Sequence, residues 1–270
     1  MGNYWDAVFT GDADALQRLF AAGQDPNELD SALGTGALHI LAMNDQVPAI
    51  RATVSAGADV ELTDSSDSTP LMWARTASTA QALLEAGADA NACTSATSTP
   101  LIEVIRLGTD GSVGHGGPAA KDTVELLLTS GADARGLDKD GATALHLAAY
   151  DSPYESQLAV MSVLVNAGAD VNTQDNDGLS PLVYAVLGHS EQAVRWLLEE
   201  GADPALESPK TGLRPVDLND FGNEYYVARV LTEKQQPSAA KGVAASSGGC
   251  LLAALSLLAS VMALAVMAHL

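Results

Sequence analysis

The sequence contains few of the residues that build disulfides, metal clusters or large aromatic cores. Its 270 residues include only two cysteines, Cys93 and Cys250, which exclude a disulfide framework or a zinc cluster and fit a reducing compartment. Aromatic residues make up 4% of the chain, although hydrophobic residues make up 47%. Small apolar side chains in such excess favour closely stacked helices over a core of large rings. We therefore expect a helix-rich protein.

Basic residues are also scarce. The chain has 13 Lys and Arg against 34 Asp and Glu, which gives a formal net charge of −21. A surface this acidic repels phosphate backbones, so we expect no nucleic acid partner. Two interpretations of the charge remain: it keeps a binding module soluble, or it steers basic partners toward the protein.

The motifs of common catalytic, nucleotide and metal sites are missing. The glycine-rich stretch around His115 lacks the Gly-Lys-Ser/Thr ending of a phosphate-binding loop. The run that begins at Asp175 resembles the start of a calcium loop, but Thr173 and Tyr184 occupy positions where the motif needs acids. We expect no catalytic residue, no cofactor, no metal ion and no small-molecule substrate.

A recurring helix end organises most of the chain. The tripeptide Gly-Ala-Asp occurs five times, at intervals of 30 to 44 residues, and an apolar helix end precedes each copy. Its glycines are Gly57, Gly87, Gly131, Gly168 and Gly201. We expect these glycines to adopt the left-handed conformation that ends a helix, because glycine has no Cβ to oppose it.

Each repeat also has a recognisable start. The starts are Thr69-Pro-Leu-Met, Thr99-Pro-Leu-Ile, Thr143-Ala-Leu-His and Ser180-Pro-Leu-Val, with a looser copy at Gly36-Ala-Leu-His. The pattern predicts that the Thr or Ser hydroxyl caps a helix whose first residue is often proline. Between a Gly-Ala-Asp and the next start lies a polar segment with turn residues, which we call a finger and expect to project as a hairpin.

These patterns resemble the ankyrin repeat, and the segment from Asp140 to Ala149 is the best copy. The resemblance implies an all-α solenoid of paired helices with β-hairpin or turn fingers, extending over residues 1–233. It also implies a non-enzymatic scaffold that binds proteins through the inner helices of a concave face and the finger tips. His39 and His146 would then be structural residues that bond to finger backbone. About seven repeats are expected, the first and last atypical caps, at 3–27, 34–63, 67–92, 97–134, 141–172, 178–205 and 212–233.

Three repeats depart from the pattern. The third is about three residues short, since Thr69 to Gly87 spans 18 positions where Gly36 to Gly57 spans 21, so its inter-helix turn should be tight. The fourth carries about eleven extra residues around 108–118, and the fifth has about four extra around 151–155. Each insertion is either a partner contact or a tolerated loop.

The resemblance places candidate partner contacts on the fingers and first helices. The finger candidates are Asp64, Asp67, Asp138, Asp140, Asp175 and Asp177. The first-helix candidates are Trp73, Arg75, Arg106, Tyr150 and Tyr184.

A different composition follows the repeats. Residues 234–250 form a flexible linker rich in Ser, Gly and Ala, and the twenty residues from Leu251 to Leu270 contain no Asp, Glu, Lys or Arg. As a helix this segment is about 30 Å long, enough to cross a hydrocarbon core. We expect a single-pass, tail-anchored membrane helix that leaves the repeats in the cytoplasm, with Cys250 as a candidate for lipidation.

Other interpretations of this segment remain open. It could be a glycolipid-anchor signal, for which Ser246 to Gly249 supply the small residues, or an apolar helix buried against the repeats. The alternative function that follows from burial is a soluble ankyrin-type effector or inhibitor that binds a target protein, with its tail buried or bound by a chaperone.

Overall fold

Paired helices form the protein. The computed structural model describes residues 4–31, 34–109, 118–150 and 155–215, which contain eleven α-helices and one 3-10 helix. Within these ranges the β-structure consists of two isolated antiparallel bridges, Leu29 with Gly36 and Leu137 with Thr143. The elements are α1 Tyr4–Thr10, α2 Ala13–Ala21, α3 Ala37–Met43, α4 Val47–Ser55, the 3-10 helix Pro70–Trp73, α5 Ala77–Glu85, α6 Pro100–Thr109, α7 Pro118–Thr129, α8 Ala144–Tyr150, α9 Glu155–Asn166, α10 Pro181–Leu187 and α11 Glu191–Glu199.

The chain divides into two compact bodies. Of the described residues, the N-terminal body comprises those from 4 to 144 together with 159–169, and the C-terminal body comprises those from 145 to 158 and from 170 to 215. In the N-terminal body, first helices pack on first helices: α1 contacts α3, and the 3-10 helix contacts both α3 and α6. Second helices form another layer, in which α4 contacts α2 and α5, and α5 contacts α7. In the C-terminal body, α10 packs against α11.

Leucine and alanine fill the spaces between these helices. In the N-terminal body the fully buried side chains include Leu16, Leu41, Leu71, Leu83 and Leu127. In the C-terminal body they include Leu145, Leu182, Val194 and Leu197. Each such side chain contributes about 1.5–3 kcal/mol when it leaves water. The intervening alanines, which add little bulk, let the layers pack closely.

The predicted helix ends are confirmed. The five glycines of the Gly-Ala-Asp tripeptides have φ from 94° to 99°. Gly23, which stands in the related sequence Gly-Gln-Asp, has φ 94°. At Gly57 the amide donates to the carbonyl of Val54, and the next amide, of Ala58, donates to the carbonyl of Thr53. These bonds satisfy carbonyls that the helix leaves free at its end.

The predicted helix caps at the repeat starts are wrong for two positions. Thr69 and Ser180 precede their helices with extended backbone, but neither hydroxyl accepts a hydrogen bond from an amide, and both are buried without a partner in the described residues. At Thr99 the predicted cap is present, because its hydroxyl accepts from the Ile102 amide at 3.4 Å. Side-chain caps also occur at second helices, where Asp12, Thr76 and Ser190 accept from the amide three residues ahead.

The third repeat is shortened in its first helix and not in its inter-helix turn. Its inter-helix turn, residues 74–76, is as long as residues 44–46 of the second repeat. The first helix shortens instead, since the 3-10 helix Pro70–Trp73 has four residues where α3 has seven. The inter-helix turn needs a minimum number of residues to reverse the chain direction, whereas a helix can lose a turn and tighten into a 3-10 helix. The expectation of a tight turn was therefore wrong.

Several expected features lie outside the described residues. Most of the insertion around 108–118 falls between α6 and α7, and the extra residues of the fifth repeat fall between α8 and α9. The linker 234–250, Cys250 and the segment from Leu251 to Leu270 are likewise outside these ranges, as is most of the seventh repeat. Among the helices that the structure describes, none is both long and apolar enough to cross a membrane.

Candidate functional site

One carboxylate organises each of three fingers. Oδ1 of Asp64 accepts hydrogen bonds from the amides of Ser66 at 2.7 Å and Ser68 at 3.0 Å. Asp138 and Asp175 bind their own fingers in the same way, through the amides two and four residues ahead, at 2.8–2.9 Å. Since these bonds close the turn, the finger conformation depends on the aspartate.

The second oxygen of each carboxylate reaches a first helix. In the N-terminal body, Nε1 of Trp73 donates to Oδ2 of Asp64 at 3.0 Å. In the C-terminal body, the Tyr184 hydroxyl donates to Oδ2 of Asp175 at 2.8 Å. Both donors stand nine positions after their aspartate, so each helix holds its own finger.

The third finger aspartate uses the preceding repeat. Nη2 of Arg106, on α6, lies 3.4 Å from Oδ2 of Asp138, whose side chain is only 1% exposed. Nη1 of the same guanidinium binds Oε1 of Glu103 at 3.0 Å, and the Ser98 hydroxyl donates to that same oxygen. A charged pair that is partly withdrawn from water makes a stronger contact than a fully exposed one.

Two first helices, α3 and α8, each carry a histidine that links the helix to the finger of the next repeat. The amide of Gly36 donates to Nδ1 of His39 at 3.2 Å, so Nε2 carries the proton and donates to the Ser68 carbonyl at 2.9 Å. Nε2 of His146 lies 3.1 Å from the Leu179 carbonyl in the C-terminal body. The structural role expected for both histidines is confirmed.

Aromatic rings pack on these histidines. The Trp73 ring meets His39 edge to face at 5.7 Å between centroids. Tyr184 meets His146 at 5.0 Å and Tyr150 at 6.4 Å, again edge to face. Three aromatic side chains that the sequence marks as partner contacts therefore pack within the repeats, although Trp73 and Tyr150 keep part of their surface exposed.

Burial perturbs two titrating groups in these contacts. Burial raises the pKa of the Asp175 carboxyl above its usual value, while hydrogen bonds from the Leu179 amide and the Tyr184 hydroxyl oppose the rise. Burial lowers the pKa of the His39 ring, and its bond to the Ser68 carbonyl opposes the fall. His39 is therefore neutral at pH 7, as its hydrogen bonds require.

The finger tips present the remaining acids. Asp67 is exposed, with a left-handed φ of 60°, and Asp177 is exposed and lies 3.0 Å from Nζ of Lys210. Asp140 is half-buried, and its Oδ2 has no hydrogen-bond partner in the described residues. Of the six finger acids predicted as partner contacts, Asp67 and Asp177 are thus the ones placed openly in solvent.

A cleft opens where the third repeat is shortened. It has a volume of about 290 Å³, and its lining comes from α3, the finger end, the 3-10 helix, the turn that follows it and α6. Arg75 lies in that turn, so its predicted place on a first helix was wrong. The lining residues are Met43, Ser68, Met72, Trp73, Arg75 and Glu103. Sequence analysis selected Trp73 and Arg75 but missed Met43, Met72 and Glu103. The three missing residues of the third repeat were the sequence signal for this cleft, because a first helix that loses a turn leaves the helices on either side of it exposed.

The sequence comparison decides the family. A model of ankyrin repeats in three copies matches residues 5–108 and 117–208, which is most of the chain. The chain belongs to the ankyrin-repeat family. Its all-helical fold is accordingly the ankyrin-repeat solenoid, and the repeats form a domain of the protein–protein interaction class.

Solved structures share this ankyrin fold. The human ASB11 ankyrin repeat domain superposes with a TM-score of 0.72 over 88% of this chain and 100% of that one, at 22% identity. The ankyrin repeat domain of Bcl-3, described as a unique member of the IkappaB protein family, gives a TM-score of 0.66 over 84% of this chain and 96% of that one, at 26% identity.

Curated relatives match over shorter stretches. The mouse B-cell lymphoma 3 protein homolog is 35% identical over 35% of this ankyrin-repeat protein. The YahD ankyrin repeat protein of Escherichia coli is 35% identical over 30% of it. The matched stretch spans 21% of the mouse relative and 39% of the bacterial one.

Proposed function

We propose that this ankyrin-repeat protein is a non-enzymatic scaffold that binds a protein partner through its finger tips and first helices. One observation carries the proposal. Asp64 and Asp175 each bind a first helix and so fix their fingers, while Asp67 and Asp177 lie exposed at the tips of those fingers. Groups held in one conformation lose little entropy on binding, so they suit recognition.

The exposed acids favour a basic surface on the partner. The net charge of −21 attracts such a surface over a distance and speeds association at low salt. The acids at the finger tips then form the short-range contacts with the basic surface of the partner. Nucleic acid, which is itself an acidic polymer, is a poor partner on the same grounds.

Attachment to a membrane is the second part of the proposal. The uncharged segment from Leu251 to Leu270 supplies the apolar span, and the linker 234–250 separates it from the repeats. Lys234 and Lys241 precede the segment, which agrees with the tendency of basic residues to remain on the cytoplasmic side. The repeats would then recruit their partner to a membrane surface from the cytoplasm.

Alkaline carbonate extraction tests the attachment. The full-length protein should remain in the membrane pellet, whereas a chain that ends at Lys241 should be released. Release of both chains would favour the soluble effector or inhibitor instead and would leave partner binding to be judged separately.

Charge reversal tests the partner surface. Partners identified by proximity labelling with the full-length protein should be lost when Asp67 and Asp177 are both changed to lysine. The matched control changes two other exposed acids, Glu199 and Glu200 at the end of α11, to lysine, so that the net charge changes equally. If the double variant keeps the same partners as the control, the finger tips are not the recognition surface.

A further inference from the structure

We propose that the cleft beside Trp73 binds a linear peptide segment of a partner, one that carries an apolar side chain next to an acidic one. The inference rests on the proposed scaffold function and names the chemistry of its ligand. It assigns the apolar side chain to the cleft and the acidic side chain to Arg75.

The shortened third repeat creates the cleft. The 3-10 helix lies between α3 and α6 and contacts both, yet it has four residues where α3 has seven and α6 has ten. The absent turn leaves space between its two neighbours, and Met43 and Met72 line that space. Methionine side chains adapt to varied apolar shapes, which suits a pocket for a partner's side chain.

One wall of the cleft is held rigidly. Trp73 is fixed by its bond to Asp64 and by its edge-to-face contact with His39. Because the ring is already ordered, a ligand that packs on it does not need to immobilise it. The volume of about 290 Å³ lies near the lower end of the range for small-molecule pockets, which is a size suited to one or two side chains.

The charge of Arg75 is the reason to expect an acidic side chain in the ligand. Arg75 lines the cleft and forms no ion pair or hydrogen bond with any residue in the ranges that the structure describes. Glu103, the acid of the same cleft, is already engaged by Arg106 and Ser98. In a protein of net charge −21, a half-buried arginine that has no partner among the described residues attracts a carboxylate.

These features also argue against a second copy of the chain as the occupant. Two molecules of net charge −21 repel each other at long range. A short peptide brings one carboxylate to Arg75 without bringing a whole acidic surface.

Selection from a random dodecapeptide library displayed on phage tests the proposal with the full-length protein. We expect enriched peptides to share an apolar residue beside Asp or Glu. With Arg75→Glu, the apolar residue should persist while the acid is replaced by Lys or Arg, and the original peptides should bind about tenfold more weakly. Arg18→Glu is the matched control, because Arg18 is an exposed cation on α2 whose side chain forms no ion pair or hydrogen bond with the described residues, and this variant should select the original motif.

Filling the cleft supplies a second measurement. Met43→Trp, at the end of α3, should abolish selection of the motif while the thermal unfolding temperature stays close to that of the unmodified protein. Peptides selected equally by Met43→Trp and Arg75→Glu would overturn the cleft assignment and leave the scaffold function intact. If none of the proteins selects any peptide, the cleft proposal is overturned. If proximity labelling with the unmodified full-length protein also identifies no partner, the scaffold function is overturned with it. A dimer in sedimentation that Met43→Trp dissociates would assign the cleft to a second copy and overturn the peptide proposal.

Discussion

The indole of Trp73 donates its hydrogen bond to Asp64, the same aspartate whose other oxygen closes the finger turn. One carboxylate therefore joins three amide or indole donors from two structural elements. Tyr184 and Asp175 repeat the arrangement in the C-terminal body. An aromatic residue at this position holds the finger against its own first helix; Trp73 keeps part of its surface exposed, whereas Tyr184 is buried.

Replacing Trp73 with phenylalanine should destabilise the protein by about 2 kcal/mol, because the buried Oδ2 of Asp64 loses its donor. Urea unfolding followed by far-ultraviolet circular dichroism measures the change. The matched control is Trp196→Phe on α11, where the half-buried indole makes no hydrogen bond within the described residues. Equal losses from the two substitutions would show that ring size matters and the hydrogen bond does not.

Acidification should weaken the link made by His39. Its pKa is lowered in the folded protein, so the folded state binds fewer protons than the unfolded state, and its contribution is lost as the pH falls below about 6.5. Protonation of Nδ1 also removes the acceptor for the Gly36 amide. The stability advantage of the unmodified protein over His39→Asn should therefore shrink between pH 7 and pH 5 in urea unfolding.

A difference for His39→Asn that stays constant with pH would contradict a neutral, buried His39.

Removing the Tyr184 hydroxyl should raise the pKa of Asp175 further, because the bond from that hydroxyl stabilises the charged carboxylate. The Tyr184→Phe variant then retains the proton on Asp175 to higher pH in the folded state. Its destabilisation should consequently grow as the pH rises through that pKa and be smaller at low pH. Carbon-detected NMR titration of the Asp175 carboxyl, combined with urea unfolding at several pH values, measures both effects. A titration unchanged by the substitution would contradict the assigned bond.

Gly188→Ala should cost about 1–3 kcal/mol, which is typical of overpacking. An added Cβ at Gly188 would collide with the backbone carbonyl of Tyr150, and backbone cannot rotate away as a flexible side chain can. Thermal unfolding measures the loss. Gly136→Ala is the control, because its added Cβ would approach the Asp133 carbonyl at 3.3 Å and needs only a small shift. Similar losses for both would remove the steric explanation.

Local chemistry made the helix ends predictable. A glycine that follows an apolar helix and precedes Ala-Asp adopts φ near 95° because few other residues tolerate that conformation. Gly23 follows the same rule, although its sequence, Gly-Gln-Asp, departs from the tripeptide. Here the outcome depends on a few adjacent residues.

The finger contacts could be predicted only in part. An aspartate followed by turn residues indicates a carboxylate that binds nearby amides, and Asp64, Asp138 and Asp175 all do so. The partner of the other oxygen differs in each case, because position nine after the aspartate holds Trp73, Leu147 or Tyr184. Where that position is leucine, Arg106 from the preceding repeat takes the role.

Sequence by itself determined the family, the succession of repeats and the residues that end their second helices, because short-range backbone preferences and a regular spacing carry that information. Tertiary structure alone decided that the third repeat shortens a helix while keeping its turn, that Thr69 and Ser180 bury hydroxyls without capping, and that a cleft opens beside Trp73. Each of these outcomes depends on how neighbouring repeats pack, and residues some thirty positions apart in the chain provide the contacts that settle them.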